Sequence, residues 1–426
     1  MIRFAIIALP LPSHFQPLEH LAMELIERGH SVTFFHQQDA RHLVRFRRVK
    51  FRSLGYERCP PGSLAKSLAL ESKLDTWLGQ RRAFADMART TRMLCEELPA
   101  ALREERIDAL LCDQQEAAGG LVAEALGLPF ISIACALPVN RDDETVPLSV
   151  LPYAYERGSE AVKRYARAAR RYDWTIQPLR KEIRRQSTAL GLSARDGLHE
   201  CLSSLAQISQ TVLEFDFPRP NLPPWFHEVG PLRRTPEEAR NLPYTLDDTR
   251  PLIFATLGAV HSNRFELFKR IAQACKMLDA QLLVMHHGQL THSQSDRLLR
   301  HGATWVTDFA EQNLMLQYAD VLVTHGDLDI VLEAIVAETP ILALPIAADQ
   351  PGVAARVAYS AAGVHASRHS SSRELAKHLR HLLSSQWPNL EQLADAIHLM
   401  GGTERAADIV EAAIPDMFRL RLVSSR

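Results

Sequence analysis

Continuous apolar runs alternate along this chain with segments of helical spacing. "RFAIIAL" (3–9) is apolar almost throughout, which predicts a strand buried on both faces. In "QPLEHLAMELIERGH" the residues Leu18, Leu21, Leu25 and Ile26 fall on one helical face, and Gly29 marks the stop. "SVTFF" (31–35) predicts the next strand. The alternation returns with "IDALLCD" (107–113), a helix through "AAGGLVAEALG", and "LPFISIA" (128–134). Strand–helix–strand repetition argues for an open parallel sheet covered by helices on both faces.

The pattern lapses over residues 140–200, which are polar and Arg-rich, and residues 218–248 read as a proline-punctuated connector. A second series follows. It runs "PLIFATLG" (251–258), a helix over about 264–278, "QLLVMHH" (281–287), "ADVLVTH" (319–325), a helix to Ala337, and "PILALP" (340–345). The expected fold class is therefore α/β, two facing Rossmann-like domains with the site in the cleft between them. Ligands of such sheets bind beyond the carboxyl ends of the strands.

Length agrees with this division, since 426 residues exceed one ordinary core. A net charge of -1 gives no reason to expect a nucleic-acid partner. The six cysteines form no C-x-x-C pair, which fits reduced thiols in a cytoplasmic protein. The first residues read as a strand rather than a leader, and no apolar run is long enough to span a membrane. Neither half carries a G-x-G-x-x-G loop, a Walker loop or a G-x-S-x-G elbow. Dinucleotide oxidoreductases, P-loop NTPases and α/β-hydrolases lose support accordingly.

His14 follows the first predicted strand, and Asp113 ends "DALLCD". Both would open on the same sheet edge. A carboxylate on one ring nitrogen would fix the tautomer and leave the other as a base for a hydroxyl. The alternative is that His14 caps the following helix while Asp113 merely ends a strand.

"GHSVTFFHQQDARHL", "MARTTRMLCEELPAAL", "DQQEAAGGLVAEALGLPFISIACALPVNR" and "LAQISQ" carry a resemblance to the nucleotide-sugar-dependent glycosyltransferases of GT-B fold, the UDP-glycosyltransferases. The likeness covers nearly the whole chain and is tightest over 1–235. It implies an acceptor domain over 1–235, a linker over 236–250 and a donor domain over 251–400. It also implies a segment, 401–426, that crosses back to the first domain through the apolar face of "ADIVEAAIPDMF". His14 is implied as general base and Asp113 as its partner. The acceptor implied is lipophilic, a long polyene diol such as a carotenoid. Residues 157–186 hold ten Lys or Arg against three acids, next to the apolar "VPLSVLPYAY". That pairing suits peripheral contact with the inner face of an anionic membrane, and equally a solvated basic helix.

On the donor side the resemblance assigns Phe309 to stacking on uracil and Gln312 to its edge. Glu333 takes the ribose hydroxyls, Asp349 and Gln350 the sugar, and His325 the diphosphate, with Gly258 and Gly326 kept in the phosphate loops. The departures fall in one place: Ala259, Asp327, Asp329 and Ile330 stand where the family has hydroxyls, an amide and a glycine. A helix N-terminus binds phosphate through free N–H groups, and an aspartate there would occupy them from within. Three readings stay open. The chain transfers sugar from a UDP-sugar, without a tightly bound cofactor. Or it is a relative that has abandoned nucleotide sugars. Or a divalent metal sits among His325, Asp327 and Asp329, with His261 or His286, although their spacing matches no metal motif.

Overall fold

The structure is a computed structural model that describes residues 1–71, 74, 76–142, 145–233 and 242–424, with side chains as far as 414. The first sheet contains β1 (Arg3–Ile7), β2 (Ser31–Gln37), β3 (Lys50–Leu54), β4 (Ala109–Asp113), β5 (Phe130–Ala134), β6 (Gln207–Ser209) and β7 (Phe226–Glu228). Its order is β3-β2-β1-β4-β5-β6-β7, with every pair parallel. The second contains β8 (Leu252–Thr256), β9 (Gln281–Met285), β10 (Trp305–Thr307), β11 (Val321–Thr324), β12 (Ile341–Ala343) and β13 (Gly363–His365), in the order β10-β9-β8-β11-β12-β13, again parallel. The central strands are apolar because helices cover both faces, so no polar alternation is needed.

Two expectations need correction. The connector over 218–248 is not only a connector, because β7 lies inside it and pairs with β6 at the edge of the first sheet. The expected helix after β1 begins at Pro12 and runs to Glu27, so His14 occupies its first turn rather than a loop. Proline at that position has its φ preset for a helix and no N–H to leave unpaired. Residues 236–241 of the expected linker lie outside the described residues, and Leu242, Tyr244 and Leu246 pack on the second core.

The two halves are joined by more than chain connectivity. Leu137, Val212 and Phe215 belong to the same apolar cluster as β8, β11 and β12. Arg356, fully buried, donates from Nε to Asp216 Oδ1 at 2.6 Å. At the other end of the chain the helix Gly402–Ser424 sets Ala406, Ala407, Val410 and Ile414 into the first core beside Leu18, Leu21 and Leu25. Arg28 holds that helix through Asp408 at 2.7 Å and Glu411 at 2.8 Å.

Candidate active site

Each sheet reverses its strand order beside a central pair, β1 with β4 in the first and β8 with β11 in the second. Loops leaving such neighbours diverge and open a crevice. His14 follows β1 and Asp113 ends β4, where Ile7 and Cys112 are in register. Nδ1 of His14 stands 2.7 Å from Oδ2 of Asp113, and both residues are buried. The same carboxylate accepts the Leu9 amide at 3.0 Å and, through its other oxygen, the Gln115 amide at 3.0 Å. Asp113 is thus fixed by backbone, and it fixes the ring in turn. The capping alternative for His14 fails: the cap position is Leu11, which makes no side-chain cap.

The facing half brings its own loops to the same space. A cavity of about 780 Å³ is lined by His14, Gly258, Ala259, Gln312 and His325. Asp327, Asp329, Ile330, Asp349 and Gln350 line it as well. Gly258 has φ +67°, and a Cβ there would come within 2.8 Å of the His325 ring, so glycine is what lets the two loops meet. Not every expected donor residue lines the cavity. Phe309 lies on the surface, 75% exposed, as a ring without an apolar partner to cover it. Glu333 stands behind Gln312, which donates to it through Nε2. Gln350 gives its carbonyl oxygen to the amides of Ile346 and Ala347, both at 2.9 Å, leaving its NH2 for a ligand. Asp349 reaches across to the first half, where its Oδ2 accepts the Leu137 amide at 3.2 Å.

Asp327 is the N-cap of the helix Leu328–Val336 and accepts the Asp329 amide at 3.3 Å. Burial raises its carboxyl above the ordinary range, against the pull of His14 and the Asp329 amide. Asp329 is raised further, by burial and then by Glu333 and Asp327. Asp349 is pushed up to about 6 by burial and by Asp327. For His14, burial opposes the charged ring, but Asp113, Asp327 and Asp349 outweigh it and its pKa rises. His325 goes the other way, lowered to about 3 by burial and by His287, so its ring is neutral.

The metal reading finds no support in this loop. Among the described residues, the group of three potential ligands that comes within 4.8 Å is His14, Asp113 and Cys135, not His325, Asp327 and Asp329. His325 Nε2 and Asp327 Oδ2 are 3.9 Å apart. His286 is turned to its own loop, where Nδ1 accepts the Leu290 amide at 3.2 Å. His261 packs edge-on against His325 with ring centroids 5.8 Å apart.

Arg45 and His287 are among the polar residues of this cavity that sequence reasoning missed. His287 holds a left-handed φ of +53° and places Nε2 3.3 Å from Thr256 Oγ1. Such strain in a non-glycine residue concentrates at functional sites. Arg45 belongs to the first half yet lies close enough to help lower the His287 pKa, after burial and His286. The available signal was "HHG" at the end of a predicted strand, "QLLVMHH" (281–287). Phe84, Met87, Val139, Leu151 and Tyr153 of the first half form an apolar arm of the cavity, with Arg164, Arg167 and Arg171 also in its lining.

The His14–Asp113 pair thus sits where the apolar arm of the first half meets the loops of the second. The family model for UDP-glucoronosyl and UDP-glucosyl transferase matches residues 8–398. The chain belongs to this family. It is 46% identical over 415 residues to a zeaxanthin glucosyltransferase of Pantoea ananas, covering 96% of each chain. A zeaxanthin glucosyltransferase of Pseudescherichia vulneris is 41% identical over 419 residues, with 97% of this chain and 98% of that one covered. Among solved structures, the glycotransferase of kitacinnamycin superposes with a TM-score of 0.74 at 18% identity, covering 96% of this chain and 98% of that one. That likeness establishes the GT-B fold. As a member of the family the chain is a nucleotide-sugar-dependent glycosyltransferase.

Proposed function

We propose that the chain transfers glucose from UDP-glucose to a hydroxyl of a carotenoid diol such as zeaxanthin, by a single inverting displacement. The observation that carries this is the His14–Asp113 pair, 2.7 Å apart, at the junction of the apolar arm and the donor loops. Nδ1 is bound to Asp113, so Nε2 is the nitrogen left for the acceptor. It takes the hydroxyl proton as the acceptor oxygen bonds to the anomeric carbon. The bond from that carbon to the β-phosphate oxygen breaks, and UDP leaves with the electron pair. Asp113 stabilises the imidazolium that results. On the donor side Phe309 stacks on the uracil, Gln312 reads its edge, and Glu333 takes the ribose hydroxyls. The neutral His325 ring donates toward the diphosphate, while Asp349 and the Gln350 amide hold the sugar hydroxyls.

The proposed setting is the cytoplasm, against the inner face of the membrane through the basic segment 157–186. Six free cysteines support the reducing compartment. Among the described residues no helix is long and apolar enough to cross a membrane. The rival reading, a relative that has given up nucleotide sugars, has Asp327 in its favour. The presence of His14, Gln312, Asp349 and Gln350 in the lining of one cleft favours transfer. The test is incubation with UDP-glucose and zeaxanthin, with products separated by chromatography and the linkage assigned by NMR. A β-linked glucoside is expected. An α-linked glucoside would overturn inversion, and no glucoside would overturn the reading.

A further inference from the structure

Two helices of the first half flank the apolar arm, Trp77–Glu104 and Ser159–Thr175. The first contributes Gln80, Ala83, Phe84 and Met87 to the lining, and the second contributes Tyr172 and Thr175 together with Arg167 and Arg171, which are exposed at its mouth. Where they approach each other, Trp77 and Trp174 stack with centroids 4.9 Å apart and planes 11° apart. The Arg81 guanidinium lies over both rings, at 5.5 and 5.3 Å. An internal strut would be covered. This one is not: Trp77 is 44% exposed, Leu78 58% and Trp174 55%.

The charge around this corner is also unspent. On the following helix, Gln177–Ala189, Arg180 and Arg184 are paired with Asp196, and Arg185 with Glu182. Arg167, Arg170 and Arg171 are exposed, and among the described residues their guanidinium groups have no ion pair or hydrogen bond. They precede Trp174 by seven, four and three residues, which places them on its face of the helix. Indole rings favour the boundary between headgroups and acyl chains, and arginines beside them favour anionic lipid.

We propose that this corner, Trp77, Leu78 and Trp174 with Arg167, Arg170 and Arg171, docks the protein on an anionic bilayer and turns the mouth of the apolar arm toward the lipid. Charge complementarity selects the partner, and the neighbouring apolar arm gives the docking a purpose. The proposal rests on the lipophilic acceptor described above. It also narrows the basic segment 157–186 to one helix face and adds an aromatic edge from outside that segment.

The test is flotation with vesicles of equimolar phosphatidylglycerol and phosphatidylcholine, beside vesicles of phosphatidylcholine alone. Binding to the anionic vesicles that weakens with salt is expected. Each arginine near such a surface is worth about fivefold in partitioning. The double variant Leu78→Asp, Arg170→Glu should therefore bind about tenfold less or weaker still. Neither residue lines the cavity, and an acid in the first helical turn favours folding. Its turnover on a short water-soluble alcohol should be unchanged, while turnover on carotenoid held in anionic vesicles should fall. Brominated lipid should quench the native tryptophan fluorescence, a readout that needs no variant. Failure of the native protein to float with anionic vesicles, or equal flotation of the variant, would overturn the docking surface. Flotation as expected without any carotenoid glucoside, even from detergent solution, would uphold docking and overturn the acceptor reading instead.

Discussion

Asp327 accepts the Asp329 amide at 3.3 Å, so the helix end at the proposed diphosphate site already carries a carboxyl group of its own. Ile330 and Ala259 line the same pocket and offer no hydroxyl. A carboxylate about 5 Å from a phosphate charge costs roughly 3 kcal/mol at an effective dielectric near 20. UDP should therefore bind the native chain poorly. The combined change Asp327→Gly, Asp329→Asn, Ile330→Ser and Ala259→Thr should tighten UDP binding at least ~100-fold by calorimetry. Glycine remains an acceptable cap, so helix stability should fall by only a few tenths of a kcal/mol. Titrations with and without magnesium separate a bridging cation from simple repulsion. Tight metal-free binding of UDP by the native chain would contradict this account.

His14 gives a kinetic prediction. His14→Ala should leave acceptor affinity nearly intact and slow turnover by roughly 10²–10⁴-fold. Asp113→Asn should act in the same direction but less severely, because the ring keeps a partner yet loses the charge that supports the imidazolium. An alanine variant with undiminished kcat would remove His14 from the mechanism.

The same histidine makes the reaction depend on pH in a direction that can be worked out. His14 is a base only when neutral, so kcat/KM should fall as pH drops through its pKa, which lies above the ordinary 6.5. Burial opposes that rise, while Asp113, Asp327 and Asp349 drive it. Asp327→Asn removes one of these negative charges, so the protonated ring loses support and its pKa falls. The acid limb of the profile should then move to lower pH, with the His14 ring titrating in parallel by NMR. An acid limb that stays in place or moves upward would show that Asp327 does not act on His14.

Much of this architecture was legible in the chain, for a physical reason. Strands such as "RFAIIAL" and "DALLCD" are buried on both faces, so they appear as unbroken apolar runs. The edge strands β3, β7, β10 and β13 were not legible, nor was β6 beside one of them. Residues of β3 read "KFRSL", with charges facing outward, and β6, β7, β10 and β13 are three residues each, too short for any period. β7 was masked further by the prolines around it. In the site, His14 and Asp113 could be paired because both leave adjacent central strands. Arg45 could not, because it reaches the cleft from outside any motif, in the loop after the short helix Gln38–Leu43.

The C-terminal helix yields the last prediction, and it revises what the domain boundaries suggest. A chain ending near residue 235 keeps all seven strands of the first sheet, yet it lacks part of the core. Ala406, Ala407, Ile409, Val410 and Ile414 are buried there, and His30 binds Glu411 at 2.8 Å beside them. Fully burying an Ile or Val side chain contributes about 1.5–3 kcal/mol, so the three larger residues together contribute about 5–9 kcal/mol. That is comparable to the whole stability of an ordinary domain. The truncated chain should therefore be insoluble or unfolded at 25 °C. The same chain with residues 402–426 fused after a flexible linker should be soluble and unfold cooperatively in urea. In the full chain, Val410→Asp should lower the urea midpoint of the first domain by placing an unpaired carboxylate in its core. A cooperative transition in the truncated chain equal to that of the fused one would show that the helix covers the first core without supporting it.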